Sequence, residues 1–127
     1  MNEAMRMGRI EPRIRAEIDA LRAALVKLPD HVGMVYRGVE LPPSVLARYQ
    51  KGSIVDEVAF LSTSTKDGTF TGAVRFRIRA KRGKKITAYS KYAGEHEVVF
   101  LPGSRFQVDK RKYNRLTATT WIDLTEV

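Results

Sequence analysis

The sequence predicts an α+β domain: helices first, then a β-rich remainder in which most strands run antiparallel. Two patterns predict it. Ile10, Ile14, Ile18, Leu21, Leu25 and Leu28 recur at steps of three and four, the period of a helix with one buried stripe. Val74, Phe76 and Ile78 then alternate with Arg75, Arg77 and Arg79, the period of a half-buried strand. The chain has 127 residues, 43% of them hydrophobic. That suffices for one packed domain and is short for two.

Taken in order, Pro12 suits a first helical turn and Pro29 stops the stripe. Met34 to Tyr36 is a short apolar run that reads as a strand leaving the core at Arg37-Gly38. Pro43 and Ser44 open a short helix ending at Gly52. Val58 to Thr65 is β-branched and aromatic enough for a strand. Lys81 to Lys85 reads as a turn on Gly83, and Glu97–Leu101 and Arg105–Asp109 as a hairpin joined by Pro102-Gly103-Ser104. Leu116 to Val127 is the last strand. Repeats and linkers are absent, so residues 1–127 are expected to form a single domain, with a helical segment at about 10–50 and a β-rich core at about 33–127.

Composition narrows the function classes. No apolar run approaches the roughly 18 residues of a membrane span, and the N-terminus has no signal-peptide core. There is no cysteine and there are two histidines, which argues against zinc and leaves the redox compartment open. The net charge of +9 favours an anionic partner without choosing one.

Three short motifs carry chemistry. Glu95 and Glu97 flank His96; on an extended chain residues i and i+2 share a face, so the two carboxylates couple and one pKa rises. An exposed edge with ordinary charges fits the spacing equally well. Ser62-Thr63-Ser64-Thr65 follows the apolar Phe60-Leu61; its hydroxyls can orient a carboxylate or a ribose, or simply belong to a threonine-rich strand. No nucleophile elbow accompanies it, so a serine hydrolase is unsupported. Tyr36-Arg37-Gly38 places an arginine and a permissive backbone at a strand end, an arrangement that can meet a phosphate but is more often a solvated arginine.

In that order, with E-x-E running into Val98-Val99-Phe100-Leu101-Pro102-Gly103-Ser104, the motifs resemble the arginine–serine–glutamate class of mono-ADP-ribosyltransferases. The resemblance covers about Val35 to the C-terminus. It implies an ADP-ribosyltransferase-like fold, two packed, roughly perpendicular antiparallel-rich sheets around an NAD cleft with N-terminal helices. It implies transfer of ADP-ribose from NAD to a protein arginine with release of nicotinamide, NAD being a substrate and no metal being needed. Arg37 would bind an NAD phosphate, Gly38 would offer backbone bonds to the nicotinamide amide, and Ser62 would hold Glu97. Thr63 and Ser64 would shape the nicotinamide pocket. Glu97 would hydrogen-bond the ribose 2′-hydroxyl and stabilise the oxocarbenium-like centre. Glu95 would orient and deprotonate the arginine. Phe70 could stack on nicotinamide and Tyr89 or Tyr92 could touch the target, core packing being the competing role for each.

The sequence departs from fuller relatives in its short helical region and short loop before E-x-E. A leaderless, cysteine-free catalytic domain then resembles a toxin module of a larger secreted bacterial effector, delivered into a target-cell cytoplasm and matched by a cleft-plugging immunity protein. Arg75, Arg77, Arg79, Lys81, Arg82, Lys84 and Lys85 form one cationic stretch, and Lys110, Arg111, Lys112 and Arg115 a second. These can be a solvated face, a surface for an acidic protein, or a track for phosphates. The last keeps two alternatives: the same chemistry on RNA or another nucleic acid, and a non-catalytic basic nucleic-acid-binding domain.

Overall fold

The computed structural model describes residues 1–68, 71–86 and 96–127. Its elements run α1 (Asn2–Met7), α2 (Pro12–Val26), β1 (Asp30–Val39), α3 (Pro43–Leu46), β2 (Ile54–Glu57), β3 (Leu61–Ser64), β4 (Val74–Lys85), β5 (Glu97–Phe100), β6 (Ser104–Asn114) and β7 (Thr119–Glu126). The strand order is β1-β3-β5-β4-β7-β6-β2, with an additional β1–β4 pairing. All pairings are antiparallel except β4–β7. The extra pairing closes a ring, β1-β3-β5-β4, at one end of the sheet. The two expected layers are therefore continuous, joined through β1 and the long β4.

Between the layers lies the main core, including Val35, Val55, Leu61, Phe76, Ile78, Val98, Phe100, Phe106, Val108, Ile122 and Leu124. These residues come from alternate strand positions, as period-two patterning requires. A second cluster puts Ile18, Leu25 and Leu28 against Phe60 and Val99, so α2 packs on the outer side of β5. Of the described helices, none is long and apolar enough to cross a membrane.

Several local expectations are corrected. Residues 81–85 are strand, not turn: β4 runs through Gly83, where a Cβ would lie 2.5 Å from Val98 Cγ1 and 3.2 Å from Phe100 Cε1. The glycine is there for close approach of β5. The Pro102-Gly103 stretch is a turn, with Ser104 N–H donating to Leu101 O at 3.2 Å and Gly103 at φ 91°. It does not make a hairpin, because β5 pairs with β3 and β4 while β6 pairs with β2 and β7. The strand expected from Val58 starts at Leu61. Just before it, Asn2 takes a strand's place: Phe60 N–H donates to its Oδ1, and its Nδ2 donates to Phe60 O, both at 3.1 Å.

Candidate active site

The three motifs lie on three neighbouring strands. Arg37 is on β1, Ser62-Thr63-Ser64 make up most of β3, and Glu97 opens β5. β3 and β5 pair along their length, with Ser64 opposite Glu97 and Ser62 opposite Val99. Directly opposed residues share a face. Ser62, Ser64 and Glu97 therefore look to one side, and Leu61, Thr63 and Val98 to the core. Thr63 is fully buried and its hydroxyl donates to Val98 O at 2.7 Å, clamping β3 to β5.

β1 meets β3 at Tyr36 opposite Ser64. Beyond that point the two strands part: β1 follows β4 to Val39 opposite Val74, while β3 stays with β5. A fork opens between them, and Arg37 stands at its vertex. Its Nη1 donates to Ser62 O at 2.9 Å, spanning the gap where a backbone bond would have been. Arg37 also borders a cavity of ≈450 Å³ on the core side of the fork, whose lining does not include Gly38, Ser62, Ser64 or Glu97. Its walls include Arg37, Val39 and Leu41 on one side and Glu57, Val58 and Leu61 on the other, over a floor that includes Phe76 and Ile78.

Polar groups that sequence spacing gave no reason to connect surround this cavity. Arg6 of α1, Arg48, Tyr49 and Glu57 all line it. Arg6 Nε lies 3.7 Å from Glu57 Oε1, and that oxygen accepts from Ala59 N–H at 3.1 Å. Tyr49 packs on Phe76 with ring centroids 5.1 Å apart. Arg111 fixes the segment carrying Tyr49 by donating from Nη1 to Leu46 O and Tyr49 O, each at 3.1 Å. Burial lowers the Arg37 pKa from its ordinary value, Arg6 adds to the shift, and Glu57 and Tyr49 oppose it. A guanidinium so shifted is still charged at neutral pH. Burial, then Glu57, raises the Tyr49 pKa. The result is an apolar-floored cavity whose rim carries both signs of charge, Arg6, Arg37 and Arg48 against Glu40, Asp56 and Glu57.

Gly38 follows Arg37 on β1, opposite Arg75. Glu95, Phe70, Tyr89 and Tyr92 lie outside the described residues. Among the described residues no group of three His, Cys, Asp or Glu could hold a metal ion. In the cationic stretch on β4, Arg75, Arg77 and Arg79 face outward, and among the described residues three of its cations are in ion pairs: Arg77 with Asp123 at 2.8 Å, Arg82 with Glu126, and Lys84 with Asp30 at 2.5 Å.

The chain is 37% identical over 131 residues to the "putative NAD(+)–arginine ADP-ribosyltransferase Mav" of Mycobacterium avium (strain 104), covering 99% of this chain and 16% of that protein. It is 38% identical over 112 residues to the "NAD(+)–protein-arginine ADP-ribosyltransferase Tre1" of Serratia proteamaculans (strain 568), covering 87% and 25%. The type III effector XopAI of Xanthomonas axonopodis pv. citri superposes with a TM-score of 0.78 at 32% identity, over 90% of this chain and 50% of that one. Exoenzyme S of Pseudomonas aeruginosa, solved with human 14-3-3 protein beta and carba-NAD, shares the fold at a TM-score of 0.82 and 18% identity, over 99% and 65%. The chain thus spans at most about half the length of the two curated relatives and XopAI. A family model described as ART, NAD:arginine ADP-ribosyltransferase, matches residues 13–127, and with these relatives it shows that the chain belongs to the NAD:arginine ADP-ribosyltransferase family.

Proposed function

We propose that this chain is the catalytic domain of a mono-ADP-ribosyltransferase that moves ADP-ribose from NAD to an arginine of a target protein. The observation that carries the reading is the fork: Arg37 at its vertex, with Ser62 and Glu97 on the two strands beside it. The NAD diphosphate sits at Arg37, whose planar N–H groups suit phosphate oxygens. Arg6 and Arg48 line the cavity beside Arg37, where Glu40, Asp56 and Glu57 offset their charge. Gly38 presents its backbone to the nicotinamide amide. Ser62 and Ser64 steady Glu97 and border the nicotinamide, and Thr63 holds the spacing of β3 and β5 from inside.

In the reaction the bond from ribose C1′ to nicotinamide nitrogen breaks, and nicotinamide leaves with the bonding electrons. Glu97 accepts the 2′-hydroxyl hydrogen bond and stabilises the positive charge that grows on the ribose. A guanidinium nitrogen of the target attacks C1′ and gives its proton to Glu95. By analogy with effector relatives, of which XopAI is named a type III effector, the domain acts inside a cell into which it is delivered as part of a longer protein. A dedicated inhibitory partner that covers the cleft fits that setting.

Incubation with labelled NAD and cell lysate is expected to label proteins, with the label released by neutral hydroxylamine. Hydroxylamine-resistant label, or label confined to RNA, overturns the arginine assignment. Glu97→Gln is expected to lower NAD turnover by about 10²–10³-fold, the scale of losing one group that stabilises transition-state charge. Glu95→Gln is expected to abolish transfer while retaining NAD hydrolysis; equal loss of both contradicts the two separate roles.

A further inference from the structure

The outward side of the main layer is a grid of cations that the proposed chemistry does not use. Across β4 and β7, Arg75 stands beside Trp121, Arg77 beside Asp123 and Arg79 beside Thr125. β6 extends the rows with Lys112 beside Trp121 and Lys110 beside Asp123. The guanidinium carbons of Arg75 and Arg77 lie 5.8 and 5.1 Å from the Trp121 ring centroid. Arg77 Nε also donates to Asp123 Oδ1 at 2.8 Å. Arg75 Nε is buried and has no hydrogen-bond partner among the described residues. A dent of ≈280 Å³ between Arg77, Lys110, Lys112, Asn114, Trp121 and Asp123 is large enough for an acidic side chain.

On its other edge the grid reaches the candidate active site. Tyr36 stands opposite Arg77 on β4 and opposite Ser64 on β3, and Ser64 stands opposite Glu97. Opposed residues project to one side, so the cationic face, Tyr36, the buried Ser64 and Glu97 all lie on the same side of the sheet. With strands about 4.8 Å apart, Arg77 lies on the order of 15 Å from Glu97 along the sheet.

We infer that this face docks the protein whose arginine is modified, by holding acidic side chains that neighbour that arginine. The inference rests on the transfer reaction proposed above. An acidic protein surface fits better than a nucleic acid for two reasons. Trp121 is already stacked by guanidiniums, so its ring is not offered to a base. Asp123, paired with Arg77 in the middle of the grid, interrupts the rows of cations, which suits the discrete charges of a protein surface better than a continuous phosphate track.

Two fluorescent 12-residue peptides test this, each with one arginine, one flanked by glutamates and one by glutamines. The enzymes are wild type, Lys110→Glu/Lys112→Glu, and a control, Arg13→Glu/Arg15→Glu, which changes charge equally on the exposed side of α2. Binding is read by anisotropy, and transfer by mass, with agmatine as a small acceptor. Wild type and control are expected to bind and modify the glutamate peptide at least about tenfold better, about 1.4 kcal/mol. The sheet variant is expected to lose that preference while keeping NAD hydrolysis and transfer to agmatine. The docking face is refuted if wild type shows no preference, if both variants lose it equally, or if RNA of matched charge competes better than the glutamate peptide. Absence of any NAD cleavage refutes the transfer reaction instead, and the anisotropy arm still decides the docking face.

Discussion

Arg37 carries a task that no other described side chain of the fork shares, because it holds β1 to β3 through Ser62 O and also faces the cavity. Lysine keeps the charge but not the planar set of donors. Arg37→Lys is therefore expected to raise the KM for NAD about tenfold or more by weakening a charge-assisted, two-point contact; an unchanged KM places the diphosphate elsewhere. Tyr49 gives a pH test. Its pKa is raised in the folded chain, first by burial and then by Glu57. A raised folded-state value means that stability is fully present below the unfolded value and falls as pH climbs through the folded one. The loss therefore begins above about pH 10, the ordinary tyrosine value. Wild type should lose stability there faster than Tyr49→Phe, as read by urea midpoints at successive pH values; parallel curves contradict the assignment.

Two elements owe their course to glycines. β4 is long enough to serve both layers because Gly83 leaves room for Val98 and Phe100. Gly83→Ala is expected to cost about 1–3 kcal/mol through overpacking, seen as a lower urea midpoint, with no such loss predicting that β5 can move aside freely. At Gly72 the obstacle is backbone rather than side chain: a Cβ there would lie 2.6–2.7 Å from Val39 backbone atoms, and its φ is 150°. The element patterns explain which of this could be read early. The α2 stripe and the alternation in β4 are strong periodic signals, and both elements lie where those signals put them. Gly83 and Pro102-Gly103 were misleading for one reason: a glycine or a Pro-Gly pair marks a local geometric need, and the neighbour that creates the need is far along the chain.

At the scale of the whole molecule, the C-terminal strand is sewn into the ring side of β4 by Glu126. That carboxylate is almost fully buried and accepts the N–H groups of Lys81 and Arg82 at 2.6 and 2.7 Å, with Arg82 also paired to it. Glu126→Ala leaves two donors without their acceptor and is expected to cost about 2–4 kcal/mol. Differential scanning calorimetry should show the lower Tm, and an unchanged Tm means that water replaces the carboxylate. The amino-acid order by itself determined the α+β class, the amphipathic α2 and the alternating face of β4, and it singled out Arg37, Ser62 and Glu97 as candidates for the site. Those properties follow from side-chain periodicity and short motifs, which are local. Only the tertiary structure decided that β1 and β3 part after Tyr36, that Arg6, Tyr49 and Glu57 join the cavity, and that Arg77, Arg82 and Lys84 take Asp123, Glu126 and Asp30 as ion-pair partners. Each of these depends on which strand lies beside which, and strand pairing over long sequence separations is settled by burial of the whole core rather than by any one segment.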